Sequence, residues 1–249
     1  MRVPRGSVLT MAFHPIVDVE LARVWGYEAL VRGSGGESAG WLLGRITDEN
    51  RTKFDQACRI RAIELASQIL PLDDHSRVSI NFLPSAVEDP KLCARQSLDA
   101  AARFGLAPHR IMFEFNENKR LTDTAHIQHI VEEYKRAGFL TAIDNFGAGF
   151  AGLGLIARVQ PDIIKIDMDL VRSIAGTPAK QIVVAGLVSM AGQLGIKVVA
   201  EGVETESEVR VLRAAGIRLF QGYYFAKPEI ERLPPVRGIA VAPARRAVG

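Results

Sequence analysis

The residues best suited to chemistry are acids and amides that recur at the ends of short apolar runs. In Thr141-Ala-Ile-Asp-Asn-Phe-Gly-Ala-Gly-Phe150 a small apolar run leads into Asp144 and Asn145, then into a turn with glycines at 147 and 149. Such a pattern reads as a buried strand ending in a carboxylate, followed by a loop that bends sharply. A single stretch of this kind is explained equally well by an ordinary Asp-type turn. The chain repeats it, however, in Val78-Ser-Ile-Asn81, Ile111-Met-Phe-Glu114, Ile163-Ile-Lys-Ile-Asp167 and Val198-Val-Ala-Glu201, and Glu28 sits in a further run.

If these strand ends meet, their carboxylates repel and raise one another's pKa values unless positive charge lies between them. Oxygen ligands without cysteine or clustered histidine select Mg²⁺ or Mn²⁺. So many acids point to two ions sharing a carboxylate, an arrangement that activates water and stabilises the leaving oxygen of a phosphoester. Lys165 is suited to hold the attacking water or a developing negative charge. Arg32 is suited to meet a phosphate as a bidentate donor. The alternative, surface acids at unrelated strand ends, stays open on these residues alone.

The elements that must position these groups follow a regular rhythm. Ala12–Asp18 and Val24–Val31 read as two strands joined by a short polar turn, with Met1–Thr10 as a loose lead-in. Pro15 marks the first as an edge or irregular strand. Helical apolar spacing follows over Arg51–Ile69. Strands are then predicted at 78–82, 111–115, 140–144, 163–167, 197–201 and 219–223, with intervening helices near 91–104, 123–137, 152–158, 179–194 and 206–215. Strands separated by helices imply parallel pairing with right-handed crossovers. Eight strand candidates favour a closed α/β barrel over a doubly wound sheet, and in such a barrel the strand C-termini share one face.

Composition narrows the class further. A chain of 249 residues with 48% hydrophobic content can bury a large core, as one barrel or two small domains. A net charge of +3, with both signs mixed, is too mild for a nucleic-acid polymer as partner. Cys58 and Cys93 lack metal spacing and imply no disulfide framework, which fits a reducing cytoplasm. Met1-Arg-Val-Pro-Arg-Gly offers no export signal, and the most apolar later stretch falls short of the ~20 residues of a membrane span. The expectation is a soluble cytoplasmic protein with no membrane association. Residues 11–233 form its domain and 234–249, rich in Pro, Ala and Arg, a disordered tail.

Taken together, the motifs resemble those of EAL-domain cyclic-di-GMP phosphodiesterases. The matching blocks are Tyr27-Glu-Ala-Leu-Val-Arg32, Ser79-Ile-Asn81, Glu114 with Glu117, Asp144-Asn-Phe-Gly-Ala-Gly149, Lys165-Ile-Asp167, Ala200-Glu-Gly-Val-Glu204 and Gln221-Gly-Tyr-Tyr-Phe225. Any one of them is common; all of them in order, from Phe13 to Pro228, are specific. The resemblance implies a TIM-barrel-like (β/α)8 fold of the EAL type, usually a homodimer, that hydrolyses cyclic di-GMP to linear pGpG. It implies that Glu28, Asn81, Glu114 and Asp144 bind one metal ion, and that Asp144 bridges to a second ion held with position 145 and Glu201. Lys165, Asp167, Glu201 and Gln221 would place and deprotonate the hydrolytic water. Arg32 and the backbone near Leu30 would hold phosphate, while Glu117 and Glu204 steady the loop after Asp144.

Four departures bear on this expectation. Position 145 is usually Asp in the family and is Asn here, so the second ion loses a charged ligand. Position 116 is commonly Thr and is Asn. His14 stands where a Gln often contacts the nucleotide, and a polar residue at a strand start is an equally good account of it. The segment between Arg32 and Phe54 is also short, which would open one side of the pocket. All the matched first-ion ligands and Lys165, Asp167 and Glu201 are kept, which favours an enzyme. The competing reading is a sensor that binds the dinucleotide without cleaving it and signals through dimerisation.

Overall fold

The structure is a computed structural model that describes residues 9–71, 76–116, 123–148 and 152–238. β1 (Leu9–Asp18) and β2 (Arg23–Gly33) form an antiparallel hairpin. Its turn is closed by Asp18, whose carboxylate accepts the backbone N–H groups of Glu20 and Leu21. From β2 the sheet continues in parallel through β3 (Arg77–Asn81), β4 (Ile111–Asn116), β5 (Leu140–Phe146), β6 (Ile163–Ile166), β7 (Lys197–Ala200) and β8 (Leu219–Phe220). β8 then pairs antiparallel with β1, Val17 opposite Phe220, and this contact closes an eight-stranded barrel. A short β9 (Glu229–Ile230) pairs beside β1.

The helices are α1 (Ala39–Leu43), α2 (Arg51–Ile69), α3 (Pro90–Phe104), α4 (Thr124–Arg136), α5 (Gly152–Val159), α6 (Met168–Val171), α7 (Pro178–Gln193) and α8 (Glu206–Ala214). The expected TIM-barrel-like α/β fold is the fold observed, with corrections in detail. The barrel is not all-parallel, because a two-strand hairpin can only turn β1 back against β2. β1 begins at Leu9, inside the expected lead-in, because Leu9 and Thr10 extend the ladder opposite Gly33 and Arg32. β8 stops at Phe220, so Gln221–Tyr223 lie beyond the strand. The short helices α1 and α6 carry too few residues for a periodic signal. Residues 239–249 of the expected tail lie outside the described residues.

Two apolar layers explain why the polar groups end up where they do. The outward faces of the strands, among them Ile80, Phe113, Ile143 and Ile166, pack under the helices in one continuous core. A second cluster of Ile16, Trp25, Met112, Ala142, Ile163, Val199 and Leu219 comes from seven different strands and fills the barrel interior. Successive side chains of a strand alternate between its faces. Two residues beyond each of Met112, Ala142, Ile163, Val199 and Leu219 stand Glu114, Asp144, Lys165, Glu201 and Gln221. The polar site is thus the layer above the apolar plug. On the antiparallel β1 the same step runs backwards, from Ile16 to His14.

Candidate active site

Two irregularities adjust this layer. The β1–β2 register slips between Ile16 and Val17, so that Trp25 bulges and Glu28, three residues on, still faces inward. The β5–β6 register slips between Ile143 and Phe146. Asn145 takes up the slack with a φ of 54°, a left-handed conformation that Asn tolerates better than most residues. Its amide Nδ2 donates to Asp144 Oδ2 at 3.1 Å.

At the centre of the layer lies the fully buried side chain of Lys165. Its ammonium is 2.6 Å from Glu201 Oε1, 3.2 Å from Glu114 Oε2, 3.3 Å from Glu28 Oε2 and 3.4 Å from Asp144 Oδ1. Amides and a hydroxyl complete the ring. Asn81 Nδ2 donates to Glu28 at 2.8 Å and to Glu114 at 2.9 Å, Gln221 Nε2 donates to Glu28 at 2.8 Å, and Ser79 Oγ donates to Glu114. Asp144 Oδ1 is buried and accepts no hydrogen bond.

The charges are strongly interdependent. Burial works against the Lys165 ammonium, but Asp144, Glu114, Glu201 and Glu28 outweigh it and hold its pKa well above the ordinary range. Burial raises Glu28, yet Lys165 and the hydrogen-bond donors pull it down to about 2. Glu114 is raised well above its usual value by burial and by the Glu28 and Asp144 charges. Glu201 is raised chiefly by burial, with Asp144 and Glu28 adding to it against the pull of Lys165. Glu28 is thus held firmly as an anion, whereas Glu114 and Glu201 take up protons more readily than ordinary carboxyls.

Two clefts flank the ring and share Glu28, Leu30 and Asp144. One, of about 330 Å³, is the more polar of the two and is lined by His14, Arg32, Asn145, Arg172, Glu201 and Tyr223 among others. The other, of about 430 Å³, is mainly apolar, with Leu43, Phe54, Ile80, Phe82 and Pro84 in its walls. A larger concavity of about 670 Å³ between the first hairpin turn and α8 contains no member of the ring, so the flanking clefts are the candidates for substrate.

The family model of the EAL domain matches residues 4–228. The chain belongs to the EAL domain family. It is 33% identical over 225 residues to the blue light- and temperature-regulated antirepressor BluF of Escherichia coli, covering 90% of this chain and 55% of that protein. It is 28% identical over 227 residues to the cyclic di-GMP phosphodiesterase PA2567 of Pseudomonas aeruginosa, covering 88% of this chain and 38% of the relative. The EAL domain thus spans about half or less of these curated relatives. Among solved structures it resembles a standalone EAL protein of Vibrio cholerae in its c-di-GMP bound form, with a TM-score of 0.88, 47% identity and coverage of 93% and 97% of the two chains. It also resembles Klebsiella pneumoniae BlrP1 in a manganese/cy-diGMP complex, with a TM-score of 0.85, 37% identity and coverage of 92% and 58%.

Within this EAL domain most of the residues expected from sequence are brought together. Glu28, Asn81, Glu114, Asp144, Lys165, Glu201 and Gln221 form the ring. Leu30, Arg32, His14 and Asn145 line the polar cleft. Arg32 Nη1 there donates to its own neighbour's carbonyl, Val31 O, at 2.8 Å. His14 Nε2 lies 3.1 Å from Ala226 O; since a carbonyl can only accept, this nitrogen carries the proton, and burial lowers the ring's pKa. Two of the expected residues are engaged elsewhere. Asp167 caps α6, accepting the Asp169 N–H at 2.7 Å, because a carboxylate at a helix start meets free N–H groups. Glu204 forms an ion pair with Arg172 at the end of α6. Glu117 lies outside the described residues.

Among the described residues no three acid, His or Cys side chains close on one point as they stand, and the Lys165 ammonium lies between them. Sequence reasoning missed Arg172 and Tyr223 of the polar cleft and the buried Asp55–Arg59 pair on α2, with Nε–Oδ2 at 2.8 Å. The opposite charges four residues apart were a usable signal for that pair.

Proposed function

We propose that this EAL domain hydrolyses one phosphodiester bond of cyclic di-GMP to give linear pGpG. The observation that carries the reading is the convergence of Glu28, Asn81, Glu114, Asp144, Lys165, Glu201 and Gln221 between two clefts. Two clefts that flank the ring and share Glu28 and Asp144 give room for the two guanosine halves of a cyclic dinucleotide, with the phosphodiester over the ring. The likeness to proteins named for cyclic di-GMP hydrolysis or binding supports the choice of substrate.

The donor set fits Mg²⁺ or Mn²⁺: it is all oxygen, and the buried Asp144 Oδ1 accepts no hydrogen bond. Glu28, Asn81, Glu114 and Asp144 would hold one ion, Asn81 through its amide oxygen, and Asp144, Asn145 and Glu201 a second. Bound there, such ions lower the pKa of water and offset charge on the phosphoryl group. The protein's own groups do the rest. Glu201, whose carboxyl holds a proton more readily than an exposed one, accepts the proton of the attacking water. Lys165 faces the negative charge that develops as the new P–O bond forms and the ester P–O bond breaks. Gln221 and Asn81 fix the Glu28 carboxylate, and Arg32 turns from the Val31 carbonyl to the phosphate. Leu30 and His14 border the substrate, with Asp167 setting the turn after Lys165.

Purified protein incubated with cyclic di-GMP and Mn²⁺ or Mg²⁺ should accumulate pGpG, and EDTA should stop it. A second reading, a sensor that binds without cleaving, is favoured by the neutral Asn145 and by the likeness to an antirepressor. Tight binding with no product at high protein concentration would decide for it.

We further infer a cytoplasmic homodimer. Among the described residues no helix is long and apolar enough to cross a membrane. Helix α7 has Lys180 as its one charged residue, yet Ile182 is 74% and Val183 49% exposed. An apolar face of this kind is usually covered by a partner.

A further inference from the structure

Four carboxyl groups and one ammonium make the ring an unusual electrostatic object. Its members come from β2, β4, β5 and β6 and from the residue after β7, so no local turn holds them together. Each carboxylate approaches Lys165 Nζ within 3.4 Å, and Glu201 within 2.6 Å. Asn81, Gln221 and Ser79 add donors to Glu28 and Glu114, but Asp144 Oδ1 has the ammonium as its near partner and accepts no hydrogen bond. The cation of Lys165 therefore stands among the oxygens that the proposed function assigns to divalent ions.

We propose that Lys165 is a built-in counter-cation, which holds the acid ring together when no divalent ion is bound and competes with Mg²⁺ or Mn²⁺ for the same oxygens. Without it, like charges would face one another in a buried layer directly above an apolar plug, where screening by water is weak. With it, the barrel folds independently of metal, at the cost of weaker ion binding, since an entering ion must displace the ammonium from its present contacts. The competition half rests on the proposed metal-dependent reading; the counter-cation half does not.

The test compares wild type, Lys165→Met and the double variant Lys165→Met/Glu114→Gln, by thermal unfolding in EDTA and in Mn²⁺ and by calorimetric titration with Mn²⁺. No nucleotide is present. In EDTA, Lys165→Met should lower Tm by on the order of 10 °C. The double variant, with one acid neutralised, should recover a substantial part of that loss, and it serves as the comparison if the single variant does not fold. Mn²⁺ should raise the Tm of Lys165→Met more than that of wild type and bind it roughly tenfold tighter. An unchanged Tm in EDTA, or a double variant no more stable than the single one, overturns the counter-cation. Mn²⁺ affinity equal to or weaker than wild type overturns the competition. Mn²⁺ without effect on any of the three defeats both the competition and the metal-dependent reading, while the EDTA comparison still judges Lys165.

Discussion

Glu201 Oε1 lies 2.6 Å from Lys165 Nζ, the shortest contact that the ammonium makes with its four carboxylate neighbours. The pair joins the end of β6 to the residue after β7 and places the proposed proton acceptor beside the proposed charge stabiliser. Glu201→Gln keeps the shape and removes the basicity. Turnover of cyclic di-GMP, followed as pGpG by chromatography, should fall by roughly 10²–10⁴-fold, the usual worth of a positioned base. A variant within threefold of wild type would remove Glu201 from the mechanism.

Asn145→Asp should have opposite effects with and without metal. The new carboxylate would sit where the amide now donates to Asp144 Oδ2 at 3.1 Å, so a hydrogen bond becomes a repulsion. Asp tolerates the left-handed backbone at this position, so strain is not the reason for any change. Thermal unfolding in EDTA should show a lower Tm, and turnover at limiting Mn²⁺ should rise. A lower rate at limiting Mn²⁺ would show that the amide, not the charge, is what the site needs.

Glu208 anchors the loop that follows Glu201. Its carboxylate accepts the backbone N–H groups of Glu204 at 2.9 Å, Thr205 at 3.0 Å and Ser173 at 3.0 Å. Burial would raise its pKa, but these donors prevail and hold it below the ordinary glutamate value. A depressed carboxyl pKa stabilises the fold above the unfolded value and loses that contribution as pH falls through the folded one. Glu208→Gln should therefore cost about 1–3 kcal/mol at pH 7. The gap to wild type, measured by denaturant unfolding, should narrow as pH drops below 4.5. A gap that is constant from neutral to strongly acid pH would contradict this.

Asp55 and Arg59 pair in the helical layer, away from the ring, with Arg59 Nη1 also donating to Ser97 Oγ at 3.1 Å and to Tyr134 at 3.0 Å. Asp55 in turn accepts the Leu83 N–H at 2.8 Å, below the apolar cleft. Arg59→Leu should cost about 3–5 kcal/mol because it strands a buried carboxylate. Asp55→Leu/Arg59→Met should cost much less. Equal losses in the two variants, by urea unfolding, would mean that packing rather than charge sets the energetics.

Ile182→Lys on the exposed face of α7 should shift the protein from dimer to monomer in sedimentation velocity while leaving its thermal stability in dilute solution nearly unchanged. A wild-type protein that sediments as a monomer at all concentrations would dispose of the dimer.

The sequence by itself determined the strands, the helices between them and the acids at the strand ends. Alternation and helical spacing are properties of the local backbone, so Met112 with Glu114 and Ala142 with Asp144 already announce a plug and a polar layer to anyone counting by twos. Only the tertiary structure decided how that layer is wired. Lys165 faces Glu28 across 137 positions of chain, and β1 closes the barrel antiparallel through Val17 and Phe220. The Trp25 bulge that returns Glu28 to the interior is fixed by the register with β1, and Glu204 pairs with Arg172 across 32 positions of chain. Coulombic and hydrogen-bond partners are chosen by proximity in space, which a local pattern cannot encode.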